Sequence, residues 1–198
     1  MFSGPVLTVD LEAIAANWQQ LRSRFSGPEC GAVVKADAYG LGADAVSQAL
    51  EKAGCHTFFV ATLDEAIRLR TVLPDIRILV FHGVGPGEEF AFLTHRIIPV
   101  LSSMDQLTRW QAVATDRADA ISALHIDTAM ARLGLEAEEF LALMAQAPAA
   151  LEQARVSLIL SHLACGGEPE HPANAAQLAQ LTRCLAQAPG IPVSLCNS

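Results

Sequence analysis

Short apolar runs alternate with amphipathic stretches along the chain from about residue 32 onward. The runs are apolar at consecutive positions, as expected for strands buried on both faces, and the stretches between them repeat apolar residues at helical spacing. The pattern predicts seven strands, over residues 32–35, 57–61, 76–81, 97–100, 121–126, 156–161 and 191–196. It also predicts intervening helices near residues 44–53, 64–72, 104–113, 137–147 and 173–188.

Strand–helix alternation at this spacing predicts parallel strands joined by right-handed crossovers. A closed (β/α) barrel requires eight such strands, whereas seven are predicted. An open, doubly wound sheet also fits, and both folds place chemistry at the carboxyl ends of their strands. The pattern alone therefore leaves both architectures open.

Two helix starts carry capping signals. Asp10 is placed to cap a helix over residues 11–25, whose apolar stripe includes Trp18 as an expected core residue. Thr62 and Glu65 have the spacing of a capping box at the start of a later helix.

A single lysine ends the first apolar run. Lys35 is one of only two lysines, the other being Lys52, so it does not belong to a basic surface. A lysine at the mouth of a core strand loses hydration, which favours the neutral amine that covalent chemistry requires. The alternative is a strand-end lysine that simply reaches water. That alternative would be preferred for an isolated lysine after an apolar run, but the residues around Lys35, where Tyr39-Gly40 follows at once, reverse the preference.

Composition excludes several classes of partner. The 198 residues are enough for one domain with a substantial core. A formal charge of −8 without a Lys/Arg cluster argues against nucleic acid and anionic membranes as partners. No apolar stretch approaches the length of a membrane span, and the first residues lack the features of a signal peptide, so the cytoplasm is the expected location.

The five cysteines are odd in number and widely spaced, which predicts reduced thiols rather than a disulfide framework. His162, Cys165 and His171 offer metal-ligand atoms close together in sequence. They lack the paired spacing of a zinc site, and we expect no metal.

Residues 33–43 (VVKADAYGLGA) closely resemble the pyridoxal-phosphate (PLP) lysine motif of alanine racemases. Three further segments resemble that family in its order. They are residues 127–134 (DTAMARLG), 161–164 (SHLA) and 194–198 (SLCNS). Four motifs in order make a chance similarity improbable.

The resemblance implies a fold and a domain organisation. The fold is an α/β one, a (β/α) TIM-type barrel lacking its eighth strand and the family's C-terminal β-rich domain. Residues 10–198 would be the PLP-binding barrel portion. Residues 1–9 would form a strand that packs with the C-terminal domain. Unpaired edges of a seven-stranded barrel would require a complementing segment or oligomerisation.

The resemblance also assigns roles to individual residues. Lys35 would bind the cofactor covalently and act as one catalytic base, and Tyr39 would contact the cofactor phosphate. Arg132 would contact the cofactor's ring hydroxyl and the substrate carboxylate, and His162 would pack against the pyridine ring. Without the resemblance, Arg132 would be interpreted as a surface residue and His162 as a core histidine.

Asn197 and Ser198 match the family's phosphate-binding pair. Racemisation needs a second base, which in this family is a tyrosine of the C-terminal domain, contributed across a dimer interface. Tyr39 is the single tyrosine of this sequence and belongs to the lysine motif. The second base is therefore expected outside this chain.

Three positions depart from the family pattern. Ala129 stands where the family usually has glycine, and Ala131 stands where asparagine or glycine is common. Alanine would disturb a left-handed backbone at either position. His125 occupies a position where some members carry a carbamylated lysine that holds the arginine.

The leading hypothesis is a PLP-dependent alanine racemase that interconverts L- and D-alanine for the bacterial cell wall, dimeric when complete. One alternative is a PLP-binding module, or a truncated racemase, without turnover. Another is a different fold type III PLP enzyme, such as a decarboxylase.

Overall fold

The computed structural model describes residues 4–196, and it divides into two compact units at the boundary between residues 79 and 80, within the third strand. Both units are built from parallel strands and helices. The strands are β1 (Ala32–Val33), β2 (Thr57–Val60), β3 (Arg77–Val80), β4 (Ile98–Leu101), β5 (Ser122–Asp127), β6 (Leu135–Glu136), β7 (Val156–His162) and β8 (Val193–Cys196). The helices are α1 (Leu11–Arg24), α2 (Lys35–Gly40), α3 (Ala43–Lys52), α4 (Leu63–Val72), α5 (Glu89–Thr94), α6 (Met104–Ala114), α7 (Ala137–Gln146), α8 (Ala150–Gln153) and α9 (Pro172–Leu185).

All seven predicted strands are present, with ends that lie within two residues of the predicted ones. The five helices predicted between them are also present, as is the helix predicted over residues 11–25. The elements that were missed, α2, α5, α8 and β6, are two to six residues long. Such short segments complete too few turns to show a periodic pattern.

In the first unit, β1 pairs with β2 in parallel, in a register that places Ala32 opposite Phe58. Asp10 caps α1 as predicted, because its Oδ1 accepts a hydrogen bond of 2.9 Å from the backbone N–H of Ala13. The apolar stripe of α1 predicted buried residues on one face, but none of the residues of α1 is buried. Trp18 is half-buried and donates its indole N–H to the Cys30 carbonyl at 3.2 Å.

The second unit contains a parallel sheet in the order β4, β5, β7 and β8, with the short β6 paired to β5. Fully buried large side chains fill its core. Among them, the rings of Phe92 and Trp110 meet edge to face with their centroids 6.1 Å apart. Trp110 also donates its indole N–H to the Ala120 carbonyl at 3.1 Å, which satisfies this buried polar group.

Residues 4–10, which include the described part of the strand predicted over residues 1–9, form neither helix nor strand. A strand needs a hydrogen-bonding neighbour, and the resemblance assigned that neighbour to the C-terminal domain. The packing of this segment in a longer protein stays a prediction.

Cys30, Cys55, Cys165 and Cys184 are free thiols, and burial raises the pKa of the Cys55 thiol to about 12. Within the part of the chain that the structure describes, no cluster of three or more His, Cys, Asp or Glu side chains is arranged to hold a metal ion. None of the described helices is long and apolar enough to cross a bilayer.

Candidate active site

Lys35 lies just after the carboxyl end of β1, where the backbone leaves the strand and enters the short element α2. The strand pairing continues to the residue before it, because the N–H of Val34 donates to the Phe59 carbonyl at 2.9 Å. Val34 is 2% exposed, whereas Lys35 is only half-buried. The amine is therefore carried out of the core by a strand that is itself firmly held.

The segment that follows Lys35 is one turn of left-handed helix. Ala36, Asp37, Ala38 and Tyr39 have φ values from 51° to 57° and positive ψ values. L-residues rarely adopt this conformation in succession, because each costs about 1–2 kcal/mol. The turn is closed by a hydrogen bond of 3.0 Å from the Ala38 N–H to the Val34 carbonyl.

Two carboxylates connect this turn to neighbouring helices, one from within the turn and one from α4. Asp37 Oδ1 accepts from Ala43 at 2.7 Å, where α3 begins. Glu65 Oε1 accepts from Ala36 at 2.7 Å across 29 residues of sequence. The capping-box pattern correctly predicted Glu65 at the start of α4, but it did not reveal the contact with Ala36.

Tyr39 shares the left-handed turn with Lys35. The Lys35 ammonium nitrogen lies 6.0 Å from the centroid of the Tyr39 ring. Tyr39 is 57% exposed, which leaves its phenol accessible to a ligand. The structure thus brings these two predicted residues together.

In the second unit, the loop after β5 also contains left-handed backbone. Ala129 has φ 86° and Ala131 has φ 56°, so both alanines adopt the conformation that the family's glycines suggested. Asp127 holds the loop locally, because its carboxylate accepts hydrogen bonds from Met130 at 2.8 Å and from Ala131 at 2.9 Å. Gly134 closes the loop at φ 110°, and a Cβ there would lie 2.7 Å from the backbone nitrogen of Asp127.

A buried hydrogen-bond network joins this loop to β7 and α9. Gln177, 1% exposed, donates its amide to Thr128 Oγ1 at 3.2 Å and to the His162 carbonyl at 3.0 Å. Its carbonyl oxygen accepts from the Ala164 N–H at 2.9 Å. Thr128 and Ser161 hydroxyls are 2.8 Å apart. This network was not predicted, because its only signal in the sequence is a polar residue at a buried helix position.

His125 lies within β5 and is 9% exposed. Burial lowers its pKa to about 4; the charge of Asp127 opposes that shift, while His162 and Arg132 reinforce it. The imidazole is therefore neutral near pH 7. Its Nδ1 has no hydrogen-bond partner among the described residues.

Two other predicted site residues also lie in this unit. His162 is the half-buried last residue of β7, and Arg132 is exposed in the loop after the neighbouring strand β5. Both residues therefore lie at the carboxyl ends of parallel strands, as the sequence predicted. Asn197 and Ser198 lie outside the described residues.

Comparison with known proteins identifies the family. The model for "Alanine racemase, N-terminal domain" matches residues 9–198. The chain belongs to the alanine racemase family. It is 46% identical to the alanine racemase of Acidiphilium cryptum over 98% of this chain, and 47% identical to that of Rhodospirillum rubrum, also over 98% of this chain.

These comparisons cover only part of the relatives. The chain spans 54% of the Acidiphilium cryptum protein and 52% of the Rhodospirillum rubrum protein. A crystal structure of alanine racemase from Bartonella henselae with covalently bound pyridoxal phosphate matches 94% of this chain and 55% of its own, at 40% identity and a TM-score of 0.89. The (β/α) TIM-type barrel portion predicted for this chain is thereby confirmed as its fold.

Proposed function

We propose that this chain is the N-terminal, cofactor-binding portion of an alanine racemase that uses pyridoxal 5′-phosphate to interconvert L- and D-alanine. The observation that carries the proposal is membership of the family over residues 9–198. The Bartonella henselae relative is described with pyridoxal phosphate covalently bound. Lys35 is the amine that we assign to that bond in this chain.

The residues on the left-handed turn have the chemistry to hold this cofactor. Lys35 supplies an amine for the aldehyde, and Tyr39 supplies an exposed phenol that can donate to a phosphate oxygen. Both project from one short turn, with the Lys35 nitrogen 6.0 Å from the Tyr39 ring centroid. We assign further phosphate contacts to Asn197 and Ser198 on the resemblance alone.

When bound, pyridoxal phosphate makes the α-proton of an amino acid acidic, because its ring accepts the electron pair. Lys35 Nζ would take or return that proton on one face of the α-carbon. Arg132 is always charged and planar, which suits the substrate carboxylate and the ring hydroxyl. On the resemblance, His162 would pack against the pyridine ring, and its backbone carbonyl accepts a hydrogen bond from Gln177 at 3.0 Å.

A racemase needs a second proton-transfer group on the opposite face. Tyr39, the single tyrosine of the sequence, is assigned to the phosphate. We therefore place the second base, a tyrosine by family resemblance, in the half of the relatives that this chain does not match, contributed across a homodimer interface. The D-alanine product would supply the bacterial cell wall, and the cytoplasmic location stays a prediction.

The covalent assignment is tested by borohydride reduction of the chain with pyridoxal phosphate, followed by peptide mapping. We expect the label on Lys35. It should disappear in Lys35→Ala and persist in Lys52→Ala, which removes the other lysine. An unlabelled peptide over residues 31–40 would overturn the proposal.

A second candidate function is cofactor binding without turnover, which is favoured by the assignment of Tyr39 to the phosphate. Proton NMR of L-alanine in D2O, together with polarimetry, separates the two functions. Loss of the α-proton signal with a change of optical rotation indicates racemisation, and exchange without that change indicates one active base. Labelling of Lys35 without any exchange supports the binding module.

A further inference from the structure

The left-handed turn after Lys35 needs an external hold. Four consecutive residues with side chains, from Ala36 to Tyr39, occupy a backbone region that disfavours them. Such strain persists only where surrounding contacts over-determine the conformation. In an isolated peptide the same sequence would relax, and the direction in which Lys35 leaves β1 would be lost.

Glu65 supplies a hold from a different part of the first unit. Its Oε1 accepts from Ala36 at 2.7 Å, while its Oε2 accepts from Ala61 at 2.7 Å and from Thr62 at 3.2 Å. One side chain therefore joins the left-handed turn, the residue after β2 and the start of α4. Hydrogen bonds to an ionised carboxylate are stronger than those between neutral groups.

These contacts bracket Lys35 on both sides. The N–H of Val34 is bound to the Phe59 carbonyl at 2.9 Å, and the N–H of Ala36 is bound to Glu65. The peptide group after Lys35 is thus fixed to Glu65, and the peptide group before it is held within the turn, because the Val34 carbonyl accepts from the Ala38 N–H at 3.0 Å. With both peptide planes held, the direction of the Lys35 Cα–Cβ bond is set.

We infer that Glu65 is the positioning residue for Lys35. Its carboxylate holds the left-handed turn so that the amine is presented for its bond to the cofactor. The inference rests on the proposed function for the role of Lys35. The hydrogen bond between Glu65 and Ala36 is tested separately, without any cofactor.

Glu65→Gln is the sharpest variant because an amide has only one oxygen. That oxygen can accept from Ala36 or from Ala61, and the amide NH2 would face a second N–H group. We expect amide hydrogen exchange at Ala36 to accelerate by about tenfold or more. We also expect the rate of borohydride-trapped labelling at Lys35 by pyridoxal phosphate to fall by a similar factor, with Lys52 in the same chain as the internal reference.

Two control variants separate positioning from general damage to α4. Asp64→Asn removes an exposed neighbouring charge in the same helical turn. Thr62→Ala removes the N-cap hydroxyl, which accepts from the Glu65 N–H at 3.4 Å, but leaves the carboxylate in place. Both should keep Ala36 exchange and Lys35 labelling within about twofold of the original chain, since neither touches the Lys35 turn.

If Glu65→Gln does not fold, Glu65→Asp replaces it. A carboxylate one carbon shorter keeps the charge near the start of α4 but cannot reach both Ala36 and Ala61, so the same two losses are expected. Unchanged exchange at Ala36, or accelerated exchange with undiminished labelling of Lys35, would overturn the inference. If the original chain itself labels Lys35 no faster than Lys52, the proposed function fails, and Ala36 exchange alone then decides whether Glu65 holds the turn.

Discussion

Two strand-end segments carry the candidate chemistry, and the side chains that bind them from another helix differ in charge and burial. The Lys35 turn is strained over four residues and is bound by Glu65, a charged and half-exposed side chain. The loop after β5 is strained at two alanines, and Thr128 within it is bound by Gln177, a neutral and fully buried side chain. Burying a charge costs far more than burying an amide whose hydrogen bonds are satisfied. The charged group thus serves the exposed turn, and the neutral amide serves the buried Thr128, while Asp127 binds the left-handed Ala131 locally.

The largest expected effect is on the unfolding free energy, when the buried Gln177 network is disrupted. Gln177→Leu removes three hydrogen bonds and leaves the His162 carbonyl and the Ala164 N–H without this partner, so we expect a loss of about 4 kcal/mol in unfolding free energy. Urea denaturation followed by circular dichroism measures it. Gln180→Leu, on the same helix but only partly buried, should change stability by less than about 0.5 kcal/mol. Equal losses in both variants would contradict the network's role.

The second effect is a pH dependence located in β5. The pKa of His125 is about 4 in the folded chain and 6.5 in its unperturbed state, so the unfolded chain binds the proton first. The contribution of neutral His125 to the unfolding free energy is complete above pH 6.5. It is lost as the pH falls toward 4, and the total loss is about 3 kcal/mol. Asp127, Arg132 and His162 are the charged or titratable groups that act on it.

The measurement is the unfolding free energy of the original chain and of His125→Leu between pH 7 and pH 4. The difference between their pH slopes isolates this imidazole from the other titrating groups. His82→Asn, which changes an exposed histidine, is the control for loss of a histidine outside β5. Parallel curves for the original chain and His125→Leu would show that the buried site does not resist protonation.

Gly134 tests how tightly the β5 loop is closed. Alanine there would place its Cβ 2.7 Å from the backbone nitrogen of Asp127, at a φ of 110°. Backbone atoms cannot move aside as the end of a flexible side chain can. We therefore expect a loss of about 2 kcal/mol in stability, measured by thermal unfolding. Gly87→Ala is the matched control, because it has a positive φ of 85° but no heavy atom near the added Cβ. A smaller loss in Gly134→Ala than in the control would show that the loop is not closed as described.

The smallest effect has the opposite sign and compares the two segments directly. Ala36→Gly and Ala129→Gly each relieve one left-handed alanine, at φ 51° and 86°. We expect each to stabilise by about 1 kcal/mol, since relief of strain exceeds the added entropy of glycine in the unfolded chain. Chemical denaturation of the two variants checks this, and destabilisation by either one would show that its alanine is not strained.

The sequence predicted the parallel strands and the long helices because their apolar runs and repeats extend over several residues. The left-handed turn was not predicted, since Ala36 and Ala38 have no intrinsic preference for that conformation. One of the groups that bind it is a carboxylate 29 positions away from Ala36, a contact that no local pattern indicates. The resemblance identified the candidate residues Lys35 and Tyr39 but gave no sign of the side chains that hold them.

The two tryptophans of the chain fall one in each unit, Trp18 in the first and Trp110 in the second. Trp110 is fully buried beside Phe92, whereas Trp18 is half-buried on α1. Their fluorescence should differ accordingly, with Trp110 emitting at the shorter wavelength. Replacing either by phenylalanine leaves one native optical reporter, so that melting of each unit can be followed separately and the coincidence of the two transitions measured.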